Sequence, residues 1–398
     1  MSSATHRDPT DVAQTISSAL KSQQDEMVSM LETFVKVESG SRDKDAVDHM
    51  GEVYQEVLKE MGFTTEIIRE EECGNHLVCT IEGSGDGSVL ILSHIDTVWP
   101  VGTLEWWPWE ISGNRITGPG VGDMKGGIAQ AIFAVKNMQD LGIALPAKLS
   151  FFFTGDEELG SVRGRPHIER IGKQHDVVLV TEPANLEGEI VSGRGGIAAF
   201  HLAVQGKSSH AGLGPDVGVS AIHEIAHKIV EMHKLIDHDR GLMVNAGLVE
   251  GGSARQVLAE RAEAWIDLRA PTEELAAELL DGIQKIVDTS YHPGTTAELT
   301  GSWTRSPAPR TPGNIALVNA ARNYAGMLGF EVNDRVSRAG SDGSFTSPLG
   351  VPTLDGLGPI CGEVVSAREY ILADSLPERA ALMAMLLHGV ATSSIQFE

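Results

Sequence analysis

Four short segments carry side chains able to hold a metal ion and activate water. They are Ser93-His94-Ile95-Asp96-Thr97, Gly122-Asp123-Met124-Lys125-Gly126-Gly127, Asp156-Glu157-Glu158-Leu159-Gly160 and Thr181-Glu182-Pro183. His94 and Asp96 stand at i and i+2, so on an extended segment both side chains face the same way. Imidazole suits zinc-like ions, and a neighbouring carboxylate can orient a ligand histidine. Asp123 lies in a glycine-dense loop, where close backbone approach is possible. A phosphate cradle is the competing reading of such a loop. It is set aside because G-x-x-x-x-G-K-[ST] is absent: Lys125 is followed by Gly126. Asp156, Glu157 and Glu158 put three carboxylates side by side, which raises their pKa values unless a cation or proton compensates. Alone they read as a solvated acidic turn. Beside a metal, one glutamate can bind the ion while its neighbour serves as general base.

The elements that must position these residues are legible around them. Residues 8–36 and 44–62 have helical spacing of apolar positions, through Met27, Met30, Leu31, Phe34 and Val35. Strand-like runs come next at 77–81, 89–93, 149–154 and 177–181, several of them near-continuously apolar, as strands buried on both faces are. A helical pattern over 126–141 lies between them. This alternation predicts a mostly parallel α/β sheet, and in such sheets ligands gather at the carboxyl ends of the strands. All four segments fall at such ends.

Near Gly193 the character changes. A strand over 196–205, a helix over 217–236, strands over 241–250 and 261–269 and a helix over 272–289 make a β-α-β-β-α order. That order predicts an α+β open-faced sandwich inserted into the larger domain. The α/β pattern resumes after Pro307 with a helix over 314–328. The expected division is 1–192 with 306–398 as the metal-binding domain and 193–305 as the inserted one.

One motif competes for the chemistry. His223-Glu224-Ile225-Ala226-His227 matches H-E-x-x-H, and His233 extends it. The extended zinc pattern requires glycine where Val230 stands. Ile222, Ile225, Ile229 and Ile236 instead continue an amphipathic stripe, which leaves His223 and His227 on the helix flank as surface residues.

The chain has 398 residues, which favours two domains. Its formal charge of −24 argues against nucleic-acid or anionic-membrane partners. Three cysteines (Cys73, Cys79, Cys361) form no even framework, Met1 to Asp25 lacks an apolar signal core, and no apolar run approaches about 18 residues. A cytoplasmic protein is expected.

SHIDTVWP, GPGVGDMKGG, TGDEELGS, TEPA, VQGKSSHAG, VNAGLVEGG, DLR and GSDG occur in this order along nearly the whole chain. In that order they resemble the M20 metallopeptidase family, most closely its carboxypeptidase G2-like branch. The resemblance implies an α/β domain holding two divalent metals, zinc or manganese, and an inserted lid domain through which two chains dimerise. It implies His94, Asp123 and Glu182 on the first ion, Asp123 bridging to the second, Glu158 on the second, Glu157 as general base and Asp96 orienting His94. It further implies a cis Asp123–Met124 peptide, His210 as oxyanion donor, and Asn245, Arg269 and Arg305 as binders of a substrate carboxylate. The implied reaction is hydrolysis of a C–N bond, peptide or amide, in a small carboxylate-bearing molecule by metal-activated water.

One departure bears on that reaction. Relatives carry a histidine just before the Ser/Thr that precedes the final E-Y, and here Val365 takes that place. Three explanations stay open. Glu363, or the soft ligand Cys361, substitutes from the same face of an extended chain; one ion serves instead of two; or the chain is a non-catalytic small-molecule binder. A single ion would also suit a hydrolytic deaminase of an aromatic amine of the nitroanthranilate type. His388, the one later histidine, sits in an apolar helical stretch and reads as structural.

Overall fold

The computed structural model describes residues 8–214 and 216–397, so the first seven residues of the polar N-terminal stretch lie outside it. By backbone contacts the chain divides into two units. Among the described residues, one comprises 8–193, 310–336 and 341–397; the other falls within 194–309 and 337–340.

The larger unit is built on a six-stranded sheet in the order Thr64–Ile68, His76–Glu82, Lys148–Thr154, Ser88–His94, Val177–Val180, Thr353–Leu354. The last four strands run parallel, and the first two form an antiparallel edge. The apolar runs follow from burial on both faces. Phe151 and Phe153 enter a large core with Leu149, Tyr54 and Ile91, and Phe152 points the other way to Leu90, Leu92 and Val178. In the parallel register His94 is the partner of Thr154, and Leu92 of Val180. Three neighbouring strands therefore end together, and the segments leaving their carboxyl ends share one rim of the sheet.

Caps set the helix boundaries. The Asp8 carboxylate accepts from Thr10 N at 2.8 Å ahead of Pro9–Ser22, and Asp43 caps Lys44–Glu60. The single helix expected over 8–36 is two, Pro9–Ser22 and Gln24–Lys36, broken where Gln23 leaves helical geometry (φ −101°, ψ 8°). The helix Ser375–Ala391 gave no amphipathic signal because it is apolar nearly all round and buried on almost every side. His388 belongs to that helix.

The second unit carries a four-stranded antiparallel sheet, Met243–Gly251, Arg261–Ala270, Gly196–Gln205, Thr296–Arg305. Ala198, Phe200, Leu202, Val204, Ala264, Ile266 and Leu268 alternate onto one face. They meet Ile225 and Met232 of the helix Ala221–His233, and Leu279 and Ile283 of the helix Glu273–Asp288. The first of these helices starts later than the expected 217 because Ser220 caps it, accepting from His223 N at 3.3 Å. The fourth strand lies beyond the expected β-α-β-β-α order; its sequence is polar and interrupted by Gly301.

Candidate metal centre

His94 is the last residue of the central strand Ser88–His94. Its Nδ1 lies 2.8 Å from the backbone carbonyl oxygen of Asp96, and its Nε2 lies 3.0 Å from Asp123 Oδ1 and 3.9 Å from Glu182 Oε1. A carbonyl on Nδ1 fixes the tautomer that leaves Nε2 as the ligand atom, the arrangement typical of metal-binding histidines. The Asp96 carboxylate is 3.6 Å from Nδ1 and is chiefly engaged elsewhere. It accepts from Glu157 N and Glu158 N, both at 3.1 Å, and so binds the strand after His94 to the turn that holds the two glutamates. Burial lifts the Asp96 carboxyl to about 6 against the opposing pull of His94, Ser41 and the Glu158 N–H.

Glu157 and Glu158 come shortly after Thr154 in a single 3-10 turn. Asp156, the third acid of that run, caps the helix Gly164–Gly172 and is used structurally, accepting from Arg163 N at 2.8 Å. Thr154 donates to Asp342 Oδ2 at 2.6 Å, and Ser161 donates to Asp342 Oδ1, so Asp342 clamps both ends of the acidic turn. Glu182 lies just beyond the strand Val177–Val180. Asp123 comes from the loop ahead of the helix Gly127–Asp140, and the Asp123–Met124 peptide is cis. That loop sits so close to its neighbours that two positions admit only glycine. A Cβ on Gly127 would stand 2.0 Å from Thr181 O, and one on Gly122 would stand 2.3 Å from Cys361 Sγ.

Ligand atoms of His94, Asp123 and Glu158 all lie within 4.8 Å of one another. The donor set is one imidazole nitrogen and carboxylate oxygens, which accepts zinc, manganese and cobalt alike. Four carboxylates, Asp123, Glu157, Glu158 and Glu182, face one imidazole. Burial, then the charge of Asp123, pushes Glu158 up to about 9, and its Oε1 is buried without a hydrogen-bond partner. Burial alone would lower His94, but the Asp123 hydrogen bond and the charges of Asp123, Glu182 and Glu157 hold it well above its ordinary value. A buried carboxylate oxygen with no donor, among uncompensated negative charge, fits a divalent cation.

The Val365 region differs from the extended chain expected. Glu363 and Val365 both take positive φ, 54° and 58°, so the segment turns and their side chains do not share a face by alternation. Glu363 is exposed and ion-paired with Arg368, and it is not among the described groups whose ligand atoms cluster. Val365 is 49% exposed. Cys361 is buried, and burial raises its thiol far above the ordinary range, which disfavours the thiolate a metal needs.

Sequence reasoning missed Glu369. Its side chain is fully buried; Oε1 accepts from Gly122 N at 2.9 Å and Asp123 N at 3.3 Å, and Oε2 accepts from Val365 N at 2.9 Å. One carboxylate thus holds the Asp123 loop and the Val365 turn together, and burial raises it to about 7. Arg42 was missed as well. It lines a cavity of about 480 Å³ with Ser41, Val98, Pro100, Val101, Leu159 and the candidate ligand Glu158.

The remaining candidates belong to the second unit. His210 is exposed on the short strand Ser209–His210; its Nδ1 accepts from Gly212 N at 3.1 Å and Leu213 N at 3.2 Å, so the ring proton is on Nε2. Asn245 is exposed on the edge strand Met243–Gly251. Arg269 is not held open for a substrate carboxylate: it forks onto Asp267 at 2.7 and 3.0 Å and donates to Arg338 O. Arg305 is buried at the end of the strand Thr296–Arg305. In the H-E-x-x-H segment Glu224 points into the core, paired with Lys228 at 2.9 Å, and cannot serve as a base beside His223 and His227.

Residues 90–389 match Peptidase family M20/M25/M40. The chain belongs to this family. Among characterised proteins it is 27% identical over 379 residues to carboxypeptidase G2 of Pseudomonas sp. strain RS-16, covering 93% of this chain and 90% of that one. It is 28% identical over 318 residues to succinyl-diaminopimelate desuccinylase of Methylococcus capsulatus, covering 75% and 82%. Among solved structures, a tripeptidase from Staphylococcus aureus superposes with a TM-score of 0.80 at 22% identity, over 92% of this chain and 98% of that one. The M20 metallo-carboxypeptidase Sso-CP2 from Sulfolobus solfataricus gives 0.71 at 20% identity, over 91% and 98%. These likenesses identify the M20 fold. M20 enzymes are metal-dependent hydrolases of C–N bonds, and this chain is one of them. Among the described residues no helix is long and apolar enough to cross a membrane.

Proposed function

We propose that this M20 enzyme cleaves the amide bond of a small N-acylated amino acid or peptide, with Glu157 as the proton carrier. The observation carrying the proposal is the grouping of His94, Asp123 and Glu158 within 4.8 Å, with Glu157 one residue away on the same turn. His94, Asp123, Glu158 and Glu182 would hold a divalent cation, zinc or manganese. When bound, such an ion polarises the scissile carbonyl and makes water more acidic. Glu157 takes a proton from the attacking water as its oxygen bonds to the carbonyl carbon. It then returns the proton to the amide nitrogen as the C–N bond breaks, so that a carboxylic acid and an amine leave. Asp96 positions this step, because its carboxylate fixes the backbone of both glutamates. His210, with its proton on Nε2, is suited to donate to the developing oxyanion.

The Val365 turn supports one tightly held ion rather than two, since neither Glu363 nor Cys361 is placed or poised to replace the missing imidazole. Amide cleavage is favoured over aromatic deamination by the relatives, named as a carboxypeptidase and a desuccinylase. A non-catalytic binder has no use for the buried base and ligand set.

The cavity beside Glu158 supports a substrate with an apolar body and a carboxylate, for which the Arg42 guanidinium is the matching group. Dimerisation is proposed through the second unit, whose edge strand Met243–Gly251 presents half-exposed Leu248 and Val249. Three buried free cysteines fit a reducing cytoplasm.

Amino-acid release from a panel of N-acyl amino acids and folyl-glutamates by metal-loaded protein tests the proposal. Arg42→Gln should raise KM for carboxylate-bearing acyl groups by about tenfold, the scale of a lost charged hydrogen bond. Failure of every amide to react would sink the proposed function; an unchanged KM would remove Arg42 from it.

A further inference from the structure

Although the H-E-x-x-H segment lacks a usable base, its histidines do not stand alone. His223 and His227 are exposed on the helix Ala221–His233, one turn apart, with Nε2 atoms 3.2 Å from each other. Two nitrogens each about 2.0–2.1 Å from one tetrahedral ion stand about 3.3–3.4 Å apart. The pair is therefore already at the bite of a chelate. The ring of His292 packs beside that of His223, 4.8 Å centre to centre, but its nitrogens do not converge on the pair: among the described residues, no three ligand atoms within 4.8 Å of one another include it.

Glu224 explains why His292 is there. Its buried carboxylate accepts from Tyr291 N at 3.0 Å and His292 N at 2.6 Å, and pairs with Lys228, which is equally buried. Lys228 in turn donates to Ile286 O, Val287 O and Thr289 O. The glutamate of the motif thus docks the 291–292 backbone against the helix, which sets the His292 ring beside that of His223. His233 is not part of the group; its Nε2 faces Ala246 N.

We propose that His223 and His227 form a further metal site, on the second unit, for a borderline transition ion such as nickel, copper or zinc. A ligand set of imidazoles alone, with water in the open positions, disfavours magnesium and manganese. That separates it from the carboxylate-rich catalytic centre. The buried group Cys73, His76 and Asp156 offers a contrast. There Gly155 N donates to His76 Nδ1 at 3.0 Å, which puts the proton on Nε2 and leaves no ring lone pair for an ion.

The test is equilibrium dialysis against nickel of the tag-free enzyme loaded with one equivalent of zinc per chain. One nickel per chain should bind beyond the zinc content. It should be lost in His223→Gln/His227→Gln and kept in His292→Gln. His94→Ala should keep the nickel while losing catalytic zinc. Because His223 and His227 are exposed, the double variant should fold, which circular dichroism checks. Absence of the extra nickel in the native chain, or its retention at equal affinity in a folded double variant, would overturn the site.

Discussion

Glu157→Gln is expected to lower kcat by about 10²–10⁴-fold, the range of a lost general base, while metal content stays at the native level. Glutamine keeps the size of the side chain and the backbone N–H that Asp96 accepts, but it cannot take the proton from water. Glu158→Gln serves as the contrast. It removes a carboxylate whose Oε1 is buried without a hydrogen-bond partner and which lies within 4.8 Å of His94 and Asp123. That variant should lose metal and activity together. Metal analysis alongside steady-state kinetics distinguishes the two glutamates, and equal metal loss in both variants would refute the assignment of roles.

The second large effect concerns stability. Glu369→Ala leaves Gly122 N, which is buried, and Asp123 N and Val365 N, which are part-buried, without their acceptor. A stranded buried donor costs about 1–3 kcal/mol, and the two part-buried donors can turn to water, so a loss of about 1–3 kcal/mol is expected. Denaturant midpoints measure it. Glu369→Gln, which keeps one oxygen as acceptor, should recover part of the loss, and an unchanged midpoint in Glu369→Ala would show that the clamp is unimportant. Because one of the stranded groups is the amide of Asp123, metal affinity should fall with stability.

The contrast between Glu157 and Glu369 shows what a sequence discloses. His94, Glu157, Glu158 and Glu182 stand at or just beyond apolar runs that had to be parallel strands, and neighbouring parallel strands bring their ends together. Local pattern and sheet geometry therefore placed them. Glu369 acts on Gly122 and Asp123 from about 250 residues away, across a turn whose path no periodicity records. The Glu363 expectation failed for a related reason. It assumed extended backbone, and positive φ at Glu363 and Val365 removes the alternation on which it rested. The helix Ser375–Ala391 and the strand Thr296–Arg305 escaped because one is apolar all round and the other is polar and broken by glycine.

Membership of the M20 family follows from ordered motifs, whereas the number of ions depends on the local geometry at Val365. Chelator-treated enzyme titrated with zinc or manganese, with amine release from an N-acyl amino acid monitored at each addition, addresses both. Activity should be absent without metal, rise with the ion and reach its plateau at one equivalent per chain. Hydrolysis that persists without metal, or no hydrolysis at any metal loading, would contradict the metal-centred mechanism, and a plateau only at two equivalents would contradict the single-ion centre.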